Sequence, residues 1–473
     1  MRKKILAAMA ALGVLCLHPD MQRSAQAIQI PGGADADRLV ISESGAGHML
    51  IIPYFSTQAG NATLITLVNT DEVNGKAVKL RFRGARNADS LFDFQVFLAA
   101  GDAWTANVSQ LQSGYSSLTS EDASCTRPPR ADINGKPFSV ARLNPQVSEA
   151  ERANGTREGY IEIVNMADIP QARTGLYPLI ELTNSRAICA DGVANNALTA
   201  LDTDLKDVAA YGAIGMTAPT TGLIANWTLT NVPAALSWSG VAMPIEARKG
   251  DVPAKGNISY FPQSSKPANN PGTASADPLF AGASPVVTAS WSDLPDISTP
   301  YVAGVGGPNA QLSAIADLLA VRWVVNEYWT EPTIHAATDW LFTMPTRRFA
   351  VGIDYRHTAR PRPVFNDAVA AHFAPINVVM NGDAACLRNL TFESRDREGA
   401  NAIDIDDHWI FPTPYAPTFS CGSTSTTSFN PSDAGSSKVV SSSVSLKVMD
   451  TGHTNGWFSF DSGYGLHSHA FFR

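Results

Sequence analysis

The sequence predicts an all-β fold, organised as two β-sandwich, immunoglobulin-like domains with long loops and one or two short helices. Two patterns predict it. Short runs alternate apolar and polar residues with a period of two, and Gly, Pro, Asn and Asp punctuate those runs. A third observation is length, because 473 residues are more than one hydrophobic core usually serves.

The first element is an export segment. Arg2, Lys3 and Lys4 precede an apolar run from Ile5 to Leu17, and Ala25-Gln26-Ala27 supplies small residues at the positions a signal peptidase reads. Residues 1–27 therefore read as a signal peptide cleaved near Ala27. Its run is too short to span a bilayer, and no later run approaches the roughly 18 apolar residues of a membrane helix. The formal charge of the whole chain is −8. The leader carries four of the basic residues against one acid, so the mature chain is more acidic still, which argues against nucleic acid as a partner. The expected location is secreted or cell-surface, in the periplasm or beyond.

Residues 28–260 read as the first sandwich domain. His48–Phe55 is an apolar run interrupted by Pro53, which suits an edge or bent strand. Asn61–Thr70 reads as a buried strand, and Asn74-Gly75 offers the backbone freedom of a two-residue hairpin turn. In the strand that follows, Val78, Leu80 and Phe82 alternate with Lys79, Arg81 and Arg83, so the two sets occupy opposite faces. The expectation is a core-facing apolar row and an outward, solvated basic row. Phe92, Phe94, Val96 and Leu98 continue the pattern on the next strand, with Asp93 placed to oppose an arginine. Tyr160–Met166 and Gly222–Val232 supply further strands.

Residues 261–290, rich in Pro, Ser and Ala, read as a loop or linker, and 291–473 as a second β-rich domain. Within it, Gln311–Val325 is the best helix candidate, since Leu312, Ile315, Leu319 and Trp323 recur at helical spacing. Strand patterns return at "TDWLFTM", "RRFAVGI", "INVVM", "LRNLTF", "SSVSLKVM" and "GWFSFDS".

Cys16 is lost with the leader, which leaves Cys125, Cys189, Cys386 and Cys421, an even number for an oxidising compartment. Of the three pairings open to four cysteines, Cys125–Cys189 and Cys386–Cys421 keep each bridge local. Among groups able to hold a metal, Asp404, Asp406 and Asp407 form an acidic cluster suited to calcium, although the spacing is not that of an EF-hand. His467 and His469 lie on one side of a strand and could share a transition metal. No other cofactor is expected.

Trp323, Tyr328, Trp329 and Trp340 are dense enough for a carbohydrate-stacking platform, while the density itself is commoner in a core. The mature sequence contains no nucleophile elbow, zinc-protease motif, phosphate loop or dinucleotide fingerprint.

Several segments together resemble a group of secreted bacterial cell-surface proteins without an assigned activity. They are "IIPYFSTQAGNATLITLVNT", "VKLRFRGARNADSLFDFQVFLAAGDAWTA", "REGYIEIVNM", "NEYWTEPTIHAATDWLFTMPTRRF" and "GWFSFDSGYGL". The resemblance implies a compartment and a β-rich architecture, and brings no catalytic residue. The expected function is that of an exported bacterial protein meeting an extracellular or cell-surface partner, by interaction or as a structural component. The alternative is a secreted carbohydrate-binding protein or polysaccharide hydrolase.

Overall fold

In a computed structural model the alternating strands of the first half resolve into two antiparallel sheets packed face to face. The structure describes residues 28–29, 33–260 except 141–142, 192–195 and 202–207, and, beyond 300, residues 301–302, 314–315, 317–319, 321, 323–334, 336–346, 351–354, 360–363, 378–387, 391–399, 420–429, 446–449, 451–461 and 470–472.

The strands of the first half are β1 (Arg38–Ile41), β2 (Met49–Ser56), β3 (Asn61–Asn69), β4 (Asn74–Gly84), β5 (Ser90–Leu98), β6 (Ala103–Gln110), β7 (Ser116–Thr119), β8 (Cys125–Arg127), β9 (Glu158–Pro170), β10 (Leu223–Asn231), β11 (Leu236–Val241), β12 (Met243–Lys249) and β13 (Val252–Pro253). The larger sheet has the order β13-β12-β2-β9-β4-β5-β8, with β1 also paired to β12. The smaller has the order β11-β10-β3-β6-β7. Between them lies the predicted core, where Val78, Leu80 and Phe82 meet Ile52, Phe55, Phe94, Ile65, Leu67 and Trp104. The Phe82 ring contacts Phe55 edge-on at 5.4 Å and Phe138 at 5.1 Å.

The opposite face of the larger sheet corrects the expectation of a solvated basic row, because Lys79, Arg81 and Arg83 are buried. A third layer covers that face. It holds the short helices Tyr177–Ile180, Asn196–Ala200 and Val208–Ala213, the Cys125–Cys189 disulfide, and Tyr301, Ile315, Leu319, Met344 and Ala385 from later in the chain. Five short α-helices lie between residues 130 and 213, more than the one or two expected, apart from the helical residues around Ile315 and Leu319.

Buried charge is tolerable only when paired. Lys76 donates to Asp168 at 2.9 Å, Lys79 to Asp93 at 2.7 Å and Arg83 to Glu162 at 3.1 Å. Asp93 does oppose Arg81 in register, as the alternation predicts. Burial pushes the Lys79 ammonium down to about 8 against the opposing pull of Asp93.

Two turn and edge readings also change. Asn74 and Gly75 open β4, paired with Pro170 and Ile169, and no hairpin joins β3 to β4 because these strands belong to different sheets. The Asp71 carboxylate shapes the crossing instead, accepting from the backbone N–H groups of Val73 and Asn74. β2 is an interior strand, not an edge. Pro53 is accommodated because the register with β9 shifts there and pairing with β12 is confined to Met49–Ile51.

In the second half, β14 (Trp323–Trp329), β15 (Asp339–Thr343), β16 (Val378–Asn381), β17 (Ala384–Leu387), β18 (Thr391–Asp396), β19 (Ser420–Cys421), β20 (Thr424–Phe429), β21 (Leu446–Met449), β22 (Asn455–Asp461) and β23 (Ala470–Phe472) form small sheets with orders β14-β22-β18, β21-β20-β15-β23 and β16-β17-β19. The helix expected over Gln311–Val325 is cut short: Ile315 and Leu319 are helical and buried, whereas Trp323–Val325 belong to a strand. A run of β-branched and aromatic residues from Trp323 overrides the 3.6 period there. Cys386 and Cys421 face each other across β17 and β19 and are bonded, so both disulfides follow the local pairing.

Candidate functional site

Strand parity in β14 divides the aromatic cluster singled out from the sequence. Trp323 and Trp329 are 62% and 52% exposed, and Val325 and Glu327 between them are also exposed. Tyr328 turns the other way and is buried, with Trp340, Phe342, Phe429 and Phe458. It stacks on Phe429 at 5.1 Å, while Phe458 meets Phe429 edge-on at 5.0 Å. These inward rings anchor the sheet, and its outer face keeps its indoles in solvent.

Register extends that face across three strands. Glu327 pairs with Trp457 of β22, and Trp457 pairs in turn with Arg395 of β18, so the three side chains share one side of the sheet. The Arg395 guanidinium lies over the Trp457 ring at 5.7 Å from its centroid. Arg395 is held there by an ion pair with Glu393 and by donating to the Gly399 carbonyl at 3.1 Å. The close approach of β18 and β22 requires Gly456, where a Cβ would overlap the Arg395 carbonyl oxygen. Trp323 and Trp329 lie six residues apart on one strand, roughly 20 Å at the usual rise. Carboxylate and guanidinium groups sit between and beside them.

An exposed row of indoles is not explained by packing, since large apolar groups contiguous on a surface ordinarily mark contact with something else. The chemistry offered is flat aromatic faces for stacking, with Glu327, Glu393 and Arg395 as hydrogen-bonding groups. Trp457, Arg395 and Glu393 were not singled out in the sequence. The signal for Trp457 was present in "GWFSFDS", whose alternation separates Trp457 and Ser459 from Phe458 and Phe460. Nothing local in the sequence places Arg395 beside it.

The other sequence candidates fall elsewhere. Asp404, Asp406 and Asp407, and likewise His467 and His469, lie outside the described residues. Among the described residues no group of three His, Cys, Asp or Glu side chains is placed to hold a metal ion, and no helix is long and apolar enough to cross a membrane. The basic row of β4 is interior and paired, so it offers no surface to an anion. Comparison with known proteins finds no family model, curated relative or solved structure that matches the chain.

Proposed function

We propose that the chain is an exported bacterial protein that works at the cell surface or beyond by interaction, and that its partner is an extended carbohydrate laid across the outer face of the β14-β22-β18 sheet. The observation that supports this reading is the exposure of Trp323 and Trp329 on one side of β14, with Glu327 between them. Indoles spaced along a strand present parallel strips of π surface to the C–H faces of successive sugar rings. The neighbouring carboxylates and guanidinium accept and donate to sugar hydroxyls.

A glycan array probed with the mature chain tests this, followed by affinity measurement on the best polysaccharide. Double replacement Trp323→Ala and Trp329→Ala should abolish binding with the unfolding midpoint unchanged, because neither indole contributes to the core. Binding that survives the double replacement would place the contact elsewhere. Polysaccharide turnover abolished by a single carboxylate substitution would replace the reading by that of a hydrolase.

A further inference from the structure

A cavity, separate from the tryptophan face, lies at the seam between the first sandwich and the β15-β20 pair. Its volume is about 220 Å³. Tyr54 of β2, Trp227 of β10 and Trp238 of β11 contribute three aromatic side chains, and Leu229, Leu341 and Asp339 complete the part that matters here. Trp227 and Leu229 project into the sandwich core, and Trp238 pairs with Leu229 across the two strands, so the aromatics converge from neighbouring strands.

The polar chemistry of this cavity has one sign. Its lining includes Asp339 and no Lys, Arg or His. The Tyr54 hydroxyl is engaged as a donor to Glu158 at 2.6 Å, and the Thr338 hydroxyl is engaged with the backbone of Trp329 at 2.9 and 3.0 Å. Burial first, and then the negative charges of Glu158 and Asp339, hold the Tyr54 hydroxyl protonated far above its ordinary range.

We propose that this cavity binds a quaternary ammonium group, held by the faces of Tyr54, Trp227 and Trp238 and by the charge of Asp339. Aromatic faces carry negative quadrupole charge and attract a cation without needing hydrogen bonds from it. The hydroxyls of Tyr54 and Thr338 are already committed, while Ser239 and Thr426 add two more to the lining, so a neutral sugar is the competing ligand to test. An anion would meet the Asp339 carboxylate and no cationic side chain in the lining.

Choline titrated into the full chain, followed by tryptophan fluorescence and calorimetry, tests the proposal against its uncharged carbon isostere, 3,3-dimethyl-1-butanol. Choline should bind at least about tenfold more tightly than the isostere, the size of a desolvated cation–π contribution. Asp339→Asn, which keeps the shape, should lose about tenfold in choline affinity, with the unfolding midpoint as the fold control. Trp238→Ala, at a half-buried position, should remove binding. Equal binding of choline and the isostere would show an apolar hole only and overturn the proposal, as would binding of neutral monosaccharides in place of choline, or no response to choline by the folded protein.

Discussion

Arg83 and Glu162 form an ion pair at 3.1 Å in which both side chains are fully buried, on adjacent strands of a sheet covered on both faces. Tyr160 adds a hydroxyl donor to the same carboxylate at 3.2 Å. Removing one partner strands the other charge in the interior. Glu162→Ala should therefore destabilise by roughly 3–5 kcal/mol, and the double replacement Arg83→Met with Glu162→Leu should destabilise less than that single change. Denaturant unfolding of both variants checks the ordering.

Phe82 and Arg81 are neighbours on opposite faces of β4, and both are buried. Phe82→Ala should destabilise by roughly 3–5 kcal/mol through the cavity left among Phe55, Phe92 and Phe138. A solvated row would have kept Arg81→Ala within about 1 kcal/mol. In the covered sheet its loss should approach that of Phe82→Ala, and thermal unfolding of the two variants side by side measures the difference.

His48 gives the fold an acid limit. Its Nδ1 accepts the backbone N–H of Ala247 at 3.1 Å, which fixes Nε2 as the donor to the Ala254 carbonyl at 3.0 Å. A proton on Nδ1 would break the first bond. Burial, with Lys76 nearby, lowers the imidazole from 6.5 to about 3. The unfolded chain thus binds the extra proton between those values, so stability is intact above pH 6.5 and falls as pH drops toward 3, by up to about 5 kcal/mol from this group. His48→Gln should flatten that limb in a series of unfolding curves from pH 7 to pH 4.

Gly159 sits where β9 passes between β2 and β4, and a Cβ there would overlap the Arg83 carbonyl oxygen. The overlapping atoms belong to the Arg83 backbone, which no side-chain rotation moves away, and the Phe55 ring closes the remaining space. Gly159→Ala should destabilise by more than about 2 kcal/mol, whereas Gly101→Ala, with open space around it but a positive φ of 70°, should cost about 1 kcal/mol. Unfolding midpoints of the pair separate crowding from backbone strain.

The two disulfides close separations of 64 and 35 residues. On loop-closure entropy each contributes about 4 kcal/mol. Non-reducing peptide mapping should show Cys125 joined to Cys189 and Cys386 joined to Cys421, and a peptide joining Cys125 to Cys421 would contradict the structure.

Much of the first sandwich was legible because period two is a local property. Val78, Leu80 and Phe82 in the core and Asp93 opposite Arg81 follow from alternation alone. Whether the other face meets water is not local. The residues that cover Lys79 and Arg83 come from as far along the chain as Met344 and Ala385, and no window around β4 contains them. The same limit applied at Trp323: four apolar residues at helical spacing concealed a strand whose odd positions, Trp323, Val325, Glu327 and Trp329, form the exposed face. Reading "WVVNEYW" by period two would have separated the outward indoles from Tyr328. Arg395 and Gly456 could be placed beside Trp457 only by the pairing of β18 with β22.

The charged row of β4 also bears on how the chain reaches its folded state. The first half is synthesised before Tyr301, Met344 and Ala385 exist to cover it, and a sheet whose two faces were both greasy would meet other unfinished copies in that interval. Lys79, Arg81 and Arg83, with Asp93 and Glu162 on the neighbouring strands, make that face polar in its own right, so it can be hydrated until the later segments pack on it. Once those segments have packed, the same side chains exchange water for one another inside the protein.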